Sequence, residues 1–265
     1  MPLSITHTTR YTYDQPVSYA LQKVRLRPQS NPLQEVIRWD LSIDGGRIET
    51  SYRDHYGNHV DLVSADIDTQ EMTITATGEV EVKDRAGVLG MVYGRAPLWH
   101  FTQETPLTTA GPLIAPLAKI AAVDPVTTEV LHALSAAILE AVPYQAGQTH
   151  AGTSAEEAMT LQWGVCQDHS HIFLAAARHA GIAARYVSGY LHMTDRVDQD
   201  ASHAWVEAHV PDLGWVGFDI SNGISPDERY VRLAVGRDAQ DAAPISGLRM
   251  GSGDETMIVS LQVQQ

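Results

Sequence analysis

The sequence has one cysteine, Cys166, in 265 residues. A single thiol permits no intrachain disulfide, a pattern that suits a reducing cytoplasm, and that is the compartment expected. Basic residues are scarce: 18 Lys and Arg stand against 32 Asp and Glu, for a formal charge of −14. Such a balance repels phosphate backbones and anionic lipid surfaces, so neither nucleic acid nor membrane is an expected partner. Long apolar runs are also missing. The most apolar stretches, IAPLAKIAAV and IFLAAARHAGIAA, are broken by Pro116, Lys119, Arg178 or His179, well short of the ~20 residues that a membrane span needs. The opening MPLSITHTTR alternates polar with apolar residues and carries no continuous apolar segment of the secretory kind. Neither HExxH nor a paired CxxC occurs, and His169 and His171 stand two apart, pointing to different sides of any helix that holds them. No metal and no other cofactor is expected.

What is present divides the chain in two. With 44% hydrophobic residues it can bury one large core or two smaller ones. From Leu3 to Val82, segments such as SITHTTRYTY, VIRWDLSIDG, HVDLVSA and MTITATGEVEV alternate apolar with polar residues and are separated by Gly, Pro, Asn and Asp turns. This predicts an antiparallel β-sandwich domain over residues 1–95. A cover or linker segment, rich in Gly and Pro and without a clear period, follows. Residues 96–265 then turn to mixed character, so the fold class is α+β. Val126, Val130, Leu131, Leu134, Ile138 and Leu139 line one face of a helix that Pro143 stops, and Ser154 with Glu157 makes a capping-box start for another. Strands are predicted at AARYVSGYL, SHAWVEAHV, WVGFDIS and the C-terminal TMIVSLQVQ, with VRLAVGRDAQDAAPISGLRMGSG expected as mostly loop.

The helix after Gly164 holds the chemistry. Val165, His169, Ile172, Phe173, Ala176 and Ala180 recur close to a 3.6-residue period, which puts Cys166 in the first turn. A lone cysteine is most often a packing residue. At a helix start, however, unpaired N–H groups favour the thiolate, and the same groups can face an acyl oxygen as it becomes an oxyanion. Such a nucleophile needs a base and a group to orient it. In SHAWVEAHVPDLGWVGFDIS, His203 shares a strand face with Trp205, Glu207 and His209, while Asp219 shares one with Trp215 and Gly217. A loop of two or four residues would put His203 and Asp219 on opposite faces, and a loop of three or five on the same face. Pro211-Asp212-Leu213 with Gly214 in the left-handed conformation makes a plausible three-residue loop.

The order GVCQD (164–168), HAWVE (203–207) and GWVGFD (214–219) resembles the bacterial transglutaminase-like superfamily, within the papain-like cysteine peptidase fold group. RYTYDQPV and the DHYGN segment resemble the β domain that accompanies that core, and AVGRDAQDAAPISG resembles its C-terminal loop, so nearly the whole chain is covered. The resemblance implies a papain-like core of helices on an antiparallel sheet, with Cys166 as nucleophile, His203 as general base and acid, and Asp219 orienting the imidazole. It also implies a second oxyanion donor upstream of the cysteine, for which Tyr144 is preferred over Gln162 and Trp163. Asp168 is expected as a first-turn support residue, and Glu207 as either an exposed strand residue or a hydrogen-bond partner near the site. Arg237 and Asp238 are expected as a structural ion pair. Relatives often carry an aromatic residue where His169 stands, and a proline and threonine where Ile220 and Ser221 stand, which puts pocket shape and substrate in question. The expected function is a hydrolase that cleaves peptide or amide bonds through a thioester on Cys166. Hydrolysis is favoured because water is always at hand. Acyl transfer to an amine, as in a transglutaminase, is the alternative, and a non-catalytic binding protein on the same fold is the second.

Overall fold

The computed structural model describes residues 1–92, 95–194, 197–199, 201–250 and 253–265. The N-terminal half is built of β1 (Leu3–Val17), β2 (Tyr19–Val24), β3 (Gln34–Asp44), β4 (Gly46–Arg53), β5 (His59–Ala65), β6 (Thr69–Val82) and β7 (Val88–Gly90). Helices α1 (Ala115–Ala121), α2 (Thr128–Ala141), α3 (Ala155–Leu161) and α4 (Cys166–His179) follow. The chain then runs through β8 (Ala184–Leu191), β9 (Asp198–Gln199), β10 (His203–Val210), β11 (Gly214–Phe218), β12 (Tyr230–Gly236), β13 (Ile245–Met250) and β14 (Glu255–Gln264). The architecture is α+β, with antiparallel pairing throughout the sheets.

Two sheets, ordered β3-β6-β1-β14-β9 and β13-β2-β5-β4, form the sandwich. The alternation read in β1 is its burial pattern: Leu3, Ile5, Tyr11 and Tyr13 are buried with Met72 and Ile74 of β6 and with Val24 and Val63 of the facing sheet. The third sheet, β12-β8-β10-β11-β7, carries the helices on one face. There Ala204, Val206 and Ala208 of β10 join Ile172, Phe173 and Ala176 of α4 in one core. Small residues along α4 let its backbone come close to the sheet, and residues 168–178 are buried without a break.

The expected boundary at residue 95 is crossed by strand pairing. β7 lies before it yet pairs with β11 of the core sheet. β13 and β14, expected within the catalytic unit, instead extend the two sandwich sheets by pairing with β2 and β1. The segment expected as mostly loop contains β12 and β13, and the cover segment, residues 86–116, contains β7 and a short 3-10 helix, Leu98–Thr102, and runs into the start of α1. The apolar run at the start of β12 satisfies a sheet position that the Gly- and Asp-rich sequence after it obscures. Two buried amides join the halves. Gln34 exchanges a pair of hydrogen bonds with the backbone of Arg232, at 2.8 Å each, and Asn58 does the same with Val235 at 2.8 and 2.9 Å. Each side chain imitates a peptide unit and satisfies the outer edge of β12, which would otherwise lie open.

Candidate active site

Cys166 is the first residue of α4, where the N–H groups of the opening turn have no helical acceptor. Asp168 secures that start: its buried carboxylate accepts the Val165 N–H at 2.8 Å and the Thr149 hydroxyl at 2.7 Å. Gly164 is required by the same contact, because a Cβ there would stand 2.8 Å from the Asp168 side chain. GVCQD is thus a compact instruction for a helix start in which the acid closes the turn and the thiol is presented.

The β10–β11 hairpin pairs Val210 with Gly214 and Val206 with Phe218, so its loop has three residues, 211–213. Gly214 has φ of 79°, and Asp212 is also left-handed at 65°. With this odd loop His203 and Asp219 project from one face. His203 opens β10, while Asp219 lies one residue past β11, in a bridge to Ile224. The His203 Nε2–H donates to Asp219 Oδ2 at 2.6 Å. Cys166 lines the same cavity as this ring, and with Nε2 taken by Asp219 the nitrogen left to serve the sulfur is Nδ1. Burial alone would lower the pKa of this imidazole, but the bond to Asp219 and the neighbouring Cys166 sulfur outweigh it and push the value up to about 10. Asp219, fully buried, is held by two groups that the sequence reading does not name: Asn222 Nδ2 at 2.7 Å and the Tyr230 hydroxyl at 2.8 Å. Burial opposes its charge, and these donors with His203 hold the carboxyl below its usual range. Asn222 could have been suspected from its place three residues after Asp219, in a turn. Tyr230 carries no such local signal.

The positions that depart from the family pattern meet one another. His169 Nε2–H donates to the Val142 carbonyl at 2.7 Å, which leaves Nδ1 to accept the Ser221 hydroxyl at 2.8 Å. Burial lowers the pKa of His169 and keeps it neutral. The bond ties the cysteine helix to the turn that carries Asp219. Tyr144 packs edge-on against His169, its ring centroid 6.2 Å away, and is half exposed. Gln162, with φ of 59°, ends α3 and is exposed, as is Trp163. None of these three lines the cavity at Cys166. Glu207 is neither exposed nor at the site. It is buried between Arg185, at 2.6 Å, and Arg232, at 2.7 Å, and the two guanidiniums hold its carboxyl low against the opposing effect of burial. The expected Arg237–Asp238 pair is not formed. Arg237 pairs with Asp241 at 3.4 Å, while Asp238 accepts the backbone N–H groups of Gln240 and Asp241, because a tight turn brings those amides nearer than the guanidinium.

A cavity of about 370 Å³ opens on Cys166 and His203. Among the described residues, no group of three or more His, Cys, Asp or Glu side chains is placed to hold a metal ion, and no helix is long and apolar enough to cross a membrane.

A thiol at a helix start, an imidazole between it and a buried carboxylate, and a β-sandwich joined to the core define a class, and comparison with known proteins gives the same one. Residues 3–81 match the bacterial transglutaminase-like N-terminal region, and residues 117–220 match the transglutaminase-like superfamily. Over those two stretches the chain is similar to that superfamily and to the region that accompanies it. Its sequence is 29% identical to the uncharacterized protein ML0607 of Mycobacterium leprae over 98% of both chains. It is 28% identical to the uncharacterized protein Rv2569c of Mycobacterium tuberculosis, over 98% of this chain and 91% of the other. A solved structure, that of a candidate cysteine protease of Cytophaga hutchinsonii, superimposes with a TM-score of 0.76 and 23% identity, covering 100% of this chain and 92% of that one. That likeness is one of fold.

Proposed function

We propose that this protein is a cysteine hydrolase of peptide or other amide bonds, with Cys166 as nucleophile, His203 as general acid and base, and Asp219 orienting the ring. One observation carries the reading: the His203 imidazole shares a cavity with the Cys166 thiol and is hydrogen-bonded through Nε2 to a buried carboxylate. A packing cysteine has no use for such a neighbour. The protease description of the Cytophaga neighbour agrees with the reading.

In this scheme the thiolate attacks the carbonyl carbon, and the oxygen takes up negative charge facing the open N–H groups at the start of α4. As the C–N bond breaks, His203 Nδ1–H protonates the departing amine, and the acyl group remains as a thioester on Cys166. The neutral ring then takes a proton from water, which adds to the thioester. Collapse expels the thiolate, releases the carboxylic acid and restores the imidazolium–thiolate pair. Asp219 acts throughout by holding Nε2–H, which keeps Nδ1 turned to the sulfur.

The test is a screen of peptides and simple amides, with and without an added primary amine, on the wild type and on Cys166→Ala. Hydrolysis products that require Cys166 support the reading. Products formed only when amine is supplied would make the protein an acyl transferase, and turnover that survives in Cys166→Ala would remove the mechanism.

A further inference from the structure

The side chains around Cys166 have a common character. Among the described residues that line the cavity there is no Asp, Glu, Lys or Arg, while six are alanines and Val165 and Pro244 add further apolar surface. Beside Cys166 and His203, the polar groups that an entering acyl group meets there, Gln167, Tyr186, Ser188, Ser202 and Gln240, are all uncharged side chains. A charged side chain placed in this space would lose part of its water and, outside the catalytic pair, find no opposite charge.

One wall of the cavity is irregular chain, residues 239–244, and its position is imposed from two directions. From the core, His171 Nε2 accepts the Ala239 N–H at 3.1 Å, and the Ser188 hydroxyl donates to the Ala242 carbonyl at 2.6 Å. From the N-terminal sandwich, the Tyr56 hydroxyl donates to Asp241 at 2.6 Å. Arg25 reaches the last two residues of the wall, donating from its backbone to the Pro244 carbonyl at 2.7 Å and from its side chain to that of Ala243 at 3.3 Å. Tyr56 is itself held, because Asp54 accepts its backbone N–H at 2.9 Å and the His100 ring nitrogen bonds to its oxygen at 3.1 Å. The DHYGN segment therefore acts at a distance in sequence on the wall beside the cysteine.

We propose that the cavity selects acyl groups with uncharged, apolar side chains, and that the N-terminal sandwich enforces the selection by fixing the 239–244 wall through Tyr56. The inference rests on Cys166 being the nucleophile. Tyr56 is a positioning residue in it, without contact to the reacting atoms.

The test uses alkylating substrate mimics, N-acetyl aminoacyl chloromethyl ketones carrying Leu, Glu or Lys side chains. The thiolate displaces chloride and a thioether forms, so labelling is read by mass. Iodoacetamide, which has no side chain to select, is the reference in every variant. In the wild type the Leu probe should label at least about tenfold faster than the Glu and Lys probes after division by the iodoacetamide rate. Tyr56→Phe keeps the ring and removes the bond to Asp241, and should shrink that ratio by about threefold or more. Ala243→Lys places a cation on the wall and should raise labelling by the Glu probe over the Lys probe, a change that mere loss of structure does not produce. Equal rates for the three probes, with iodoacetamide labelling fast, would overturn the selection and leave the nucleophile standing. Slow iodoacetamide labelling would overturn the nucleophile and this inference with it. A ratio unchanged in Tyr56→Phe, alongside a response in Ala243→Lys, would overturn the part assigned to the sandwich.

Discussion

Replacing Asp219 by Asn keeps the side chain's size and removes the charge that faces His203. The imidazolium is held by a bond of 2.6 Å to a carboxylate that is fully buried, so solvent screens the pair poorly. Taking the charge centres as about 4 Å apart and the effective dielectric constant as about 20, their attraction is about 4 kcal/mol. Opposite charges at such distances move a pKa by about 1 to 3 units, so His203, at about 10 in the wild type, should titrate at about 7 to 9 in Asp219→Asn. The measurement is an NMR titration of the histidine ring signals, with His203 assigned from a His203→Gln variant. Because the folded pKa lies above the ordinary 6.5, the stabilisation from this charge is complete below that value and lost as pH rises through about 10. Asp219 is ionised across this range, since its own carboxyl is held low. The difference in unfolding free energy between wild type and variant should accordingly be largest near about pH 6 and close toward the alkaline end. A wild-type His203 that titrates near 6.5, or a midpoint that does not move in Asp219→Asn, would refute the reasoning.

The remaining expectations follow from other contacts. Cys166→Ala should abolish turnover and leave the circular dichroism spectrum unchanged, while the wild-type thiol at pH 6 should react with iodoacetamide much faster than an exposed thiol of pKa ~8.5. Alanine substitutions of His203 and Asp219 should be strongly non-additive in rate, since the carboxylate serves only through the ring; independent losses would make Asp219 structural. Glu207→Gln leaves two guanidiniums buried beside one another and should cost about 3 to 5 kcal/mol in urea unfolding. The stability contributed by Glu207 should be present above its ordinary pKa and fade as pH falls below it. Asn58→Ala strips both hydrogen bonds from the Val235 backbone and should destabilise by about 2 kcal/mol or more, with no such loss expected for an exposed amide such as Gln70.

Local pattern carried much of what lies near the chain. The alternation in β1 and β6, the capping box of Ser154 and Glu157, and the helix that begins at Cys166 are encoded within a few residues each, because caps and periodicity depend only on neighbours. The hairpin shows where that reach stops. Its sequence restricts His203 and Asp219 to the same face or opposite faces, and only the folded loop of three residues chooses between them.

The sequence by itself determined the β-then-mixed order, the position of the one thiol at a helix start, and the identity of the groups able to serve it. Tertiary structure alone decided which strands share a sheet: β13 and β14 return to the sandwich across more than half the chain, and an alternating segment does not say which edge it will join. It also decided that Glu207 lies between two arginines, that Tyr230 supports Asp219, and that Tyr56 reaches the wall of the cavity. Those contacts join residues whose separation in sequence leaves no periodic trace, and they form because burial obliges each polar group to find a partner wherever the fold brings one within reach.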